Sequence, residues 1–137
     1  QTVLDSADPN SFASTLAATN TPIHLIEVTG DGGENLQDQV IPNAASTLPV
    51  SGTEGLITLL GLPSITETTQ SAESPVSGAV RYIYGHHGSI LSPAVTASAP
   101  NALNNARVTQ EMQSQVANFF ASGGHVITVQ DSGVVKK

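Results

Sequence analysis

Two short apolar segments constrain the fold of this chain more than any other feature. Residues 23–28 (IHLIEV) and 79–84 (AVRYIY) are rich in β-formers and are bounded by turn residues, which is typical of buried strands. A third segment, residues 125–130 (HVITVQ), alternates and predicts a trailing strand with one exposed face. Segments of helical character lie between them. Strands that alternate with helices predict an α/β fold with parallel strands and crossover helices.

Three helices are expected. The first covers residues 10–19, after an Asp-Pro pair that suits a cap and first turn. The second covers residues 52–61, with leucines on one face and Gly61 as its stop signal. The third covers about residues 108–122 and begins near Thr109, a candidate cap. Residues 91–105 (LSPAVTASAPNALNN) are expected to form a long surface loop, and such loops often lie near active sites.

The composition excludes several classes of function. Four Lys and Arg stand against eleven Asp and Glu, and the net charge is −7. This balance argues against nucleic-acid binding and against charge-driven docking on anionic lipid. Charged residues make up only 11% of the chain, and its surface is built from Ser, Thr, Asn, Gln and Gly. We therefore expect a secreted or surface protein, folded without disulfides because the chain has no Cys.

The loops that follow the first two strands carry the candidate chemistry. In open parallel sheets, ligands bind beyond the carboxyl ends of the strands. The acid loop, about residues 30–43, contains Asp31, Glu34 and Asp38, and the histidine loop, about residues 85–92, contains GHHGS. If the two strands are parallel neighbours, a carboxylate can orient an imidazole that acts as a general base. We favour Asp38 because the segment QVIPN after it can anchor and stiffen the loop.

Other interpretations of the same residues stay open. A histidine at a strand end is often structural, and a Gly-rich acidic loop is often a solvated turn. The loop 31–38 offers oxygen ligands for calcium, although its spacing matches no EF-hand. A zinc site on both His86 and His87 is sterically awkward, and no third ligand is convincing. We therefore predict no metal and no cofactor, and we expect His24 and His125 to be structural.

Four segments, in order, carry a resemblance to a known family: GDGGENLQDQVIPN, LPVSGTEGLITLLGL, GAVRYIYGHHGSIL and EMQSQVANFFASGG. Together they resemble the C-terminal part of the α/β-hydrolase fold in extracellular bacterial lipases, the virulence-factor lipases of marine Gram-negative bacteria such as vibrios. The resemblance covers nearly the whole chain, residues 1–137. It implies a lipase or lysophospholipase activity on lipid or ester substrates, in a protein that is secreted or held at the bacterial outer-membrane surface.

The resemblance also implies site residues. The triad of this family runs in the order Ser, acid, His. Asp38 matches the acid through DQVIP, and His87 matches the base through GHHGS. His86 then becomes a neighbour or a contact on the substrate side. Ser89 becomes a supporting residue that holds the loop by hydrogen bonding.

The chain departs from the family in one important respect. It contains no G-x-S-x-G pentapeptide, so the nucleophile is expected on an upstream part of the same protein. The chain resembles roughly the last third of such an enzyme, and we expect it to be inactive alone. An incomplete sheet exposes an edge, which predicts a homo-oligomer. The alternative is a non-catalytic α/β module for binding or assembly in a secreted protein.

Overall fold

A computed structural model describes residues 9–29, 46–47, 50–86, 88–92 and 101–137. A 3-10 turn at Pro9–Phe12 leads into helix α1 (Ala13–Ala18), and strand β1 (His24–Val28) follows. The short strands β2 (Ser46–Thr47) and β3 (Val50–Ser51) pair antiparallel, and helix α2 (Thr53–Leu60) comes next. The remaining elements are β4 (Thr69–Gln70), β5 (Gly78–Tyr82), helix α3 (Asn101–Ala121) and β6 (Val126–Ile127). Among the described residues, no helix is long and apolar enough to span a membrane.

The parallel pairing predicted for the first two strands is confirmed. β1 pairs with β5 in parallel, from His24 opposite Gly78 to Val28 opposite Tyr82. On its other side, β5 forms a parallel bridge between Ala79 and Ser64 and an antiparallel bridge between Tyr82 and Val135. β5 is therefore central, contacted on both edges. This explains why its residues are almost all buried.

Helix α2 ends as its sequence predicts. Gly61 adopts a left-handed conformation at φ +61°, which glycine tolerates without a steric penalty. Its N–H donates back toward Ile57 and Thr58, and the Leu62 N–H reaches the Ile57 carbonyl at 3.0 Å. The otherwise unpaired carbonyls at the helix end are thus satisfied.

The prediction for the last helix was wrong at its N-terminal end. α3 begins at Asn101 rather than near residue 108, so the expected loop 91–105 is helical in its final part. The Asn-rich start suggested a loop, but Asn105 and Val108 are both fully buried on the face that continues through Met112. Tertiary packing of that face overrides the weak helix propensity of Asn.

The trailing strand also differs from the prediction. It is confined to Val126–Ile127 and pairs antiparallel with β4, with Thr69 opposite Ile127, so it does not extend the parallel pair. The Ser122 hydroxyl accepts the N–H groups of both His125 and Val126 and turns the chain at the strand's start. The polar sequence of β4 gave no strand signal of its own.

A hydrophobic core joins the β1–β5 pair and the β4–β6 pair to α3. Its buried members come from β1, the segment after α2, β5, α3, β6 and the C-terminal segment: Val28, Ile65, Val80, Tyr82, Val108, Met112, Ile127, Val134 and Val135. α3 and the C-terminal segment both pack against the end of β5. The segment that follows this strand therefore begins at a well-packed position.

Candidate functional site

The carboxyl ends of β1 and β5 open at the same edge of the molecule. Val28 lies opposite Tyr82, and the Thr29 N–H donates to the Tyr82 carbonyl at 2.8 Å. The chain segments that leave these strands, toward the acid loop and the histidine loop, therefore start side by side. This is the position at which α/β sheets bind their ligands.

The two catalytic predictions fall outside the described residues. This holds for Asp38, for the other acids of its loop, Asp31 and Glu34, and for His87. The pairing of Asp38 with His87 remains a prediction, and so does calcium binding by residues 31–38. The described part of the chain contains no group of three His, Asp or Glu that could hold a metal ion.

His86 is held by backbone groups of its own turn. Its Nδ1 accepts the Gly88 N–H at 3.2 Å, and its Nε2–H donates to the Ser92 carbonyl at 3.2 Å. These bonds select the neutral tautomer with the proton on Nε2. Both ring nitrogens are thus engaged with backbone groups of the turn.

Ser89 is the buried anchor of the same turn. It is fully buried, and its Oγ accepts the His86 N–H at 2.7 Å. Its own N–H donates to the His86 carbonyl at 3.0 Å. A Cβ on Gly85, whose φ is +116°, would lie 2.9 Å from Ser89 Oγ and 3.3 Å from Val108. The turn is thus packed against α3 with no room for a larger residue at Gly85.

Apolar side chains border this turn on the solvent side. Leu91 is 82% exposed and Ile90 is 38% exposed. The Ile90 carbonyl accepts a hydrogen bond from the Gln113 amide of α3 at 3.0 Å, which holds this part of the turn against the helix. The edge therefore combines a fixed polar turn with an exposed apolar rim.

The other two histidines lie away from this edge. His24 is partly buried beside Phe119, with ring centroids 5.3 Å apart. Burial lowers the pKa of its imidazole, and Gln115 partly offsets that shift. His125 donates from Nδ1 to the Ser71 carbonyl at 2.8 Å. Their contacts are structural in kind, and neither ring lies at the carboxyl edge of the strands.

Charged residues of the same two strands form a second cluster, which no sequence pattern predicted. Arg81 of β5 lies directly across from Glu27 of β1 and donates from Nε to Glu27 Oε1 at 2.8 Å. Its guanidinium also binds both oxygens of Glu54, at 2.7 Å each, and donates to Ser64 Oγ at 2.6 Å. The available signal was a charged residue inside each apolar strand, at positions that face each other once the strands pair.

The two carboxyls of this cluster differ sharply in acidity. Burial, followed by the hydrogen bond and charge of Glu54, raises the pKa of Glu27 to about 7, although Arg81 opposes the shift. The hydrogen bonds from Arg81 lower the pKa of Glu54 to about 2. The pair thus holds one proton between two carboxyls across the weakly acidic range.

No protein family, no curated protein and no solved structure matches this chain.

Proposed function

We propose that this chain carries the acid and the base of a serine esterase or lipase, with Asp38 and His87 in those roles and the serine nucleophile on another part of the same protein. The parallel register of β1 and β5 is the observation that supports this most. Because Val28 lies opposite Tyr82, the segments that lead to the two residues begin next to each other, although they are far apart in sequence. A complete α/β-hydrolase fold is part of the proposal.

In this mechanism His87 removes the proton of the serine hydroxyl as it attacks an ester carbonyl, and later delivers that proton to the leaving alcohol. Asp38 accepts a hydrogen bond from the other ring nitrogen and stabilises the imidazolium. Backbone amides elsewhere in the protein stabilise the oxyanion. The reaction needs no cofactor or metal. Water then attacks the acyl-serine ester, again with His87 as base, and the proton returns to the serine oxygen, so the products are a carboxylic acid and an alcohol.

The surroundings of the turn favour a lipid or other apolar ester as substrate. Leu91 and Ile90 place apolar surface beside the histidine loop, where an acyl chain would leave water. The acidic, weakly charged composition fits a secreted or outer-membrane surface protein with no nucleic-acid partner. His86 acts in this scheme as a supporting residue, because its ring is used within the turn.

The decisive experiment uses the complete parent protein, whose coding frame should contain G-x-S-x-G upstream of Gln1. Hydrolysis of a p-nitrophenyl ester is measured for the parent and for Asp38→Asn and His87→Ala. Each variant should lower kcat by about 10³-fold or more. Asp31→Asn in the same loop is the matched control and should change kcat only a few-fold. Full activity in Asp38→Asn or His87→Ala would reject the assignment.

The isolated chain offers two further tests. A fluorophosphonate probe should leave the 137-residue chain unlabelled, whereas stoichiometric labelling would show a nucleophile within it. Sedimentation at micromolar concentration should reveal a homodimer or larger assembly formed through the incomplete sheet. A signal peptide encoded directly before Gln1, without an upstream G-x-S-x-G, would instead favour a non-catalytic binding or assembly module.

A further inference from the structure

The guanidinium of Arg81 joins four separate parts of the fold at one point. It contacts Glu27 on β1, Glu54 in the first turn of α2 and Ser64 in the segment after α2, while Arg81 itself belongs to β5. The Arg81 carbonyl also accepts the Lys136 N–H at 2.7 Å, which ties in the C-terminal segment. A change of charge in this cluster should therefore affect both α2 and the C-terminal segment.

In the direct ion pairs of this cluster, two ionised carboxyls would have one cationic partner. Two carboxylates then face one guanidinium and share its Nε–H. Glu27 is only 4% exposed, and its Oε2 receives no hydrogen bond from any described residue. A buried carboxylate oxygen without a donor is costly. A proton on Glu27 removes the excess negative charge and allows the protonated carboxyl to share a hydrogen bond with the Glu54 carboxylate.

We propose that Glu27, Glu54 and Arg81 form a proton-operated clasp that holds α2 on the parallel strands while Glu27 is protonated and loosens when that proton is lost. α2 is the element expected to move, because the Glu54 side chain is 36% exposed whereas that of Glu27 is 1% exposed. This clasp does not depend on the proposed esterase activity.

The groups that face the clasp come from three elements. Glu54 of α2 and Arg81 of β5 act directly on Glu27, and Lys136 of the C-terminal segment lowers the pKa of Glu54 through its charge. Lys137 lines the same cleft of about 340 Å³ with Ser64 and Lys136. These cations favour an ionised Glu54, so the shared proton resides on the buried Glu27.

The direction of the pH dependence follows from the two pKa values. The pKa of Glu27 rises from an ordinary 4.5 to about 7. Its contribution to the stability of the folded chain is therefore fully present below pH 4.5 and is lost as pH rises through 7. Glu54 moves from 4.5 to about 2, so its contribution is present above pH 4.5 and is lost as pH falls through 2. The clasp is therefore strongest near pH 4.5 and weakens toward alkaline pH.

Urea unfolding of the chain at several pH values from 5 to 8 tests the proposal. With the pKa of Glu27 raised from 4.5 to about 7, the folding equilibrium constant should fall roughly 70-fold between pH 5 and pH 8, out of a limiting change of about 300-fold. Glu27→Gln has the size and the zero charge of a protonated Glu27, so its folding equilibrium constant should not show this fall. Glu73→Gln is the control and should keep the wild-type profile, because Glu73 is exposed and has no partner cation among the residues that the structure describes. Burial of His24 makes the folding equilibrium constant rise with pH. This contribution is the same in the variant and the wild type, so it cancels when the two profiles are compared.

Two direct measurements on the wild-type chain complete the test. Hydrogen exchange of α2 amides, corrected for the intrinsic rate, should accelerate more between pH 5 and pH 8 than exchange in α3. The carboxyl carbon of Glu27 should titrate near neutrality by NMR. A titration in the ordinary carboxyl range would overturn the proposal even if Glu27→Gln fails to fold. Parallel pH profiles for wild type and Glu27→Gln would overturn it as well.

Discussion

Substitution of Gly85 by alanine tests how tightly the histidine turn is held. Gly85 lies at φ +116°, where an L-residue is strained. An added Cβ would lie 2.9 Å from Ser89 Oγ, 3.3 Å from Val108 Cγ1 and 3.4 Å from Val28 Cγ2. None of the three neighbours can move into solvent, because Ser89 and Val108 are fully buried and Val28 is nearly so.

The expected cost combines three contributions. Backbone strain at this φ costs about 1–3 kcal/mol. Overpacking against buried side chains adds about 1–3 kcal/mol. Displacement of Ser89 Oγ weakens its hydrogen bond with the His86 N–H, which contributes about 1 kcal/mol. Because the contributions are not fully additive, we expect Gly85→Ala to lower the free energy of unfolding by about 3–5 kcal/mol.

Gly61→Ala is the matched control for Gly85→Ala. Gly61 also has a positive φ, +61°, but a Cβ there meets nothing within 4 Å. Its substitution should cost only about 1–2 kcal/mol from the left-handed conformation. Urea unfolding followed by circular dichroism gives the free energy of unfolding of each variant. The comparison holds when the dependence of this free energy on urea concentration is the same for both. Equal losses for Gly85→Ala and Gly61→Ala would refute the packing argument.

The same substitution in a Ser89→Ala chain separates the cost of packing at residue 85 from the cost of backbone strain. Ser89→Ala removes the hydroxyl that the new methyl group would meet. Gly85→Ala should therefore cost about 1 kcal/mol less in a Ser89→Ala chain than in the wild type. Strict additivity of the two substitutions would show that Ser89 does not restrict this position.

Three other substitutions have clear expectations. Glu111 is buried and accepts the N–H groups of Gln130 and Asp131 at 2.7 and 3.1 Å, so Glu111→Gln should cost about 1–3 kcal/mol in urea unfolding; a neutral result would contradict this. Tyr82→Phe should change the free energy of unfolding by less than about 1 kcal/mol, because the buried Tyr82 hydroxyl lies near Gln115 but forms no well-aligned hydrogen bond with a described residue. Arg107→Ala removes a partly exposed ion pair with Asp131 and should cost less than about 1 kcal/mol, with a smaller effect in high salt.

The sequence pattern correctly predicted the helices and strands that depend mainly on neighbouring residues. The segment 23–28 and the segment 79–84 were recognised as strands because β-branched and aromatic residues run together there between turn residues. The end of α2 was recognised because Gly61 is suited to a left-handed cap. His86 was predicted as a neighbour of His87 or a contact on the substrate side, and Ser89 as a residue that holds the loop; only the structure shows which atoms bind these two residues.

Tertiary structure alone decided the start of α3, the pairing of β4 with β6 and the cluster around Arg81. The Asn-rich start of α3 has weak helix propensity and becomes helical because its inner face is buried. The polar β4 becomes a strand because β6 supplies the hydrogen-bond partners. Glu27 and Arg81 are 54 positions apart, and their contact depends on the register of two strands. Local patterns carry information over a few neighbouring residues, whereas register and burial depend on partners that are distant in sequence.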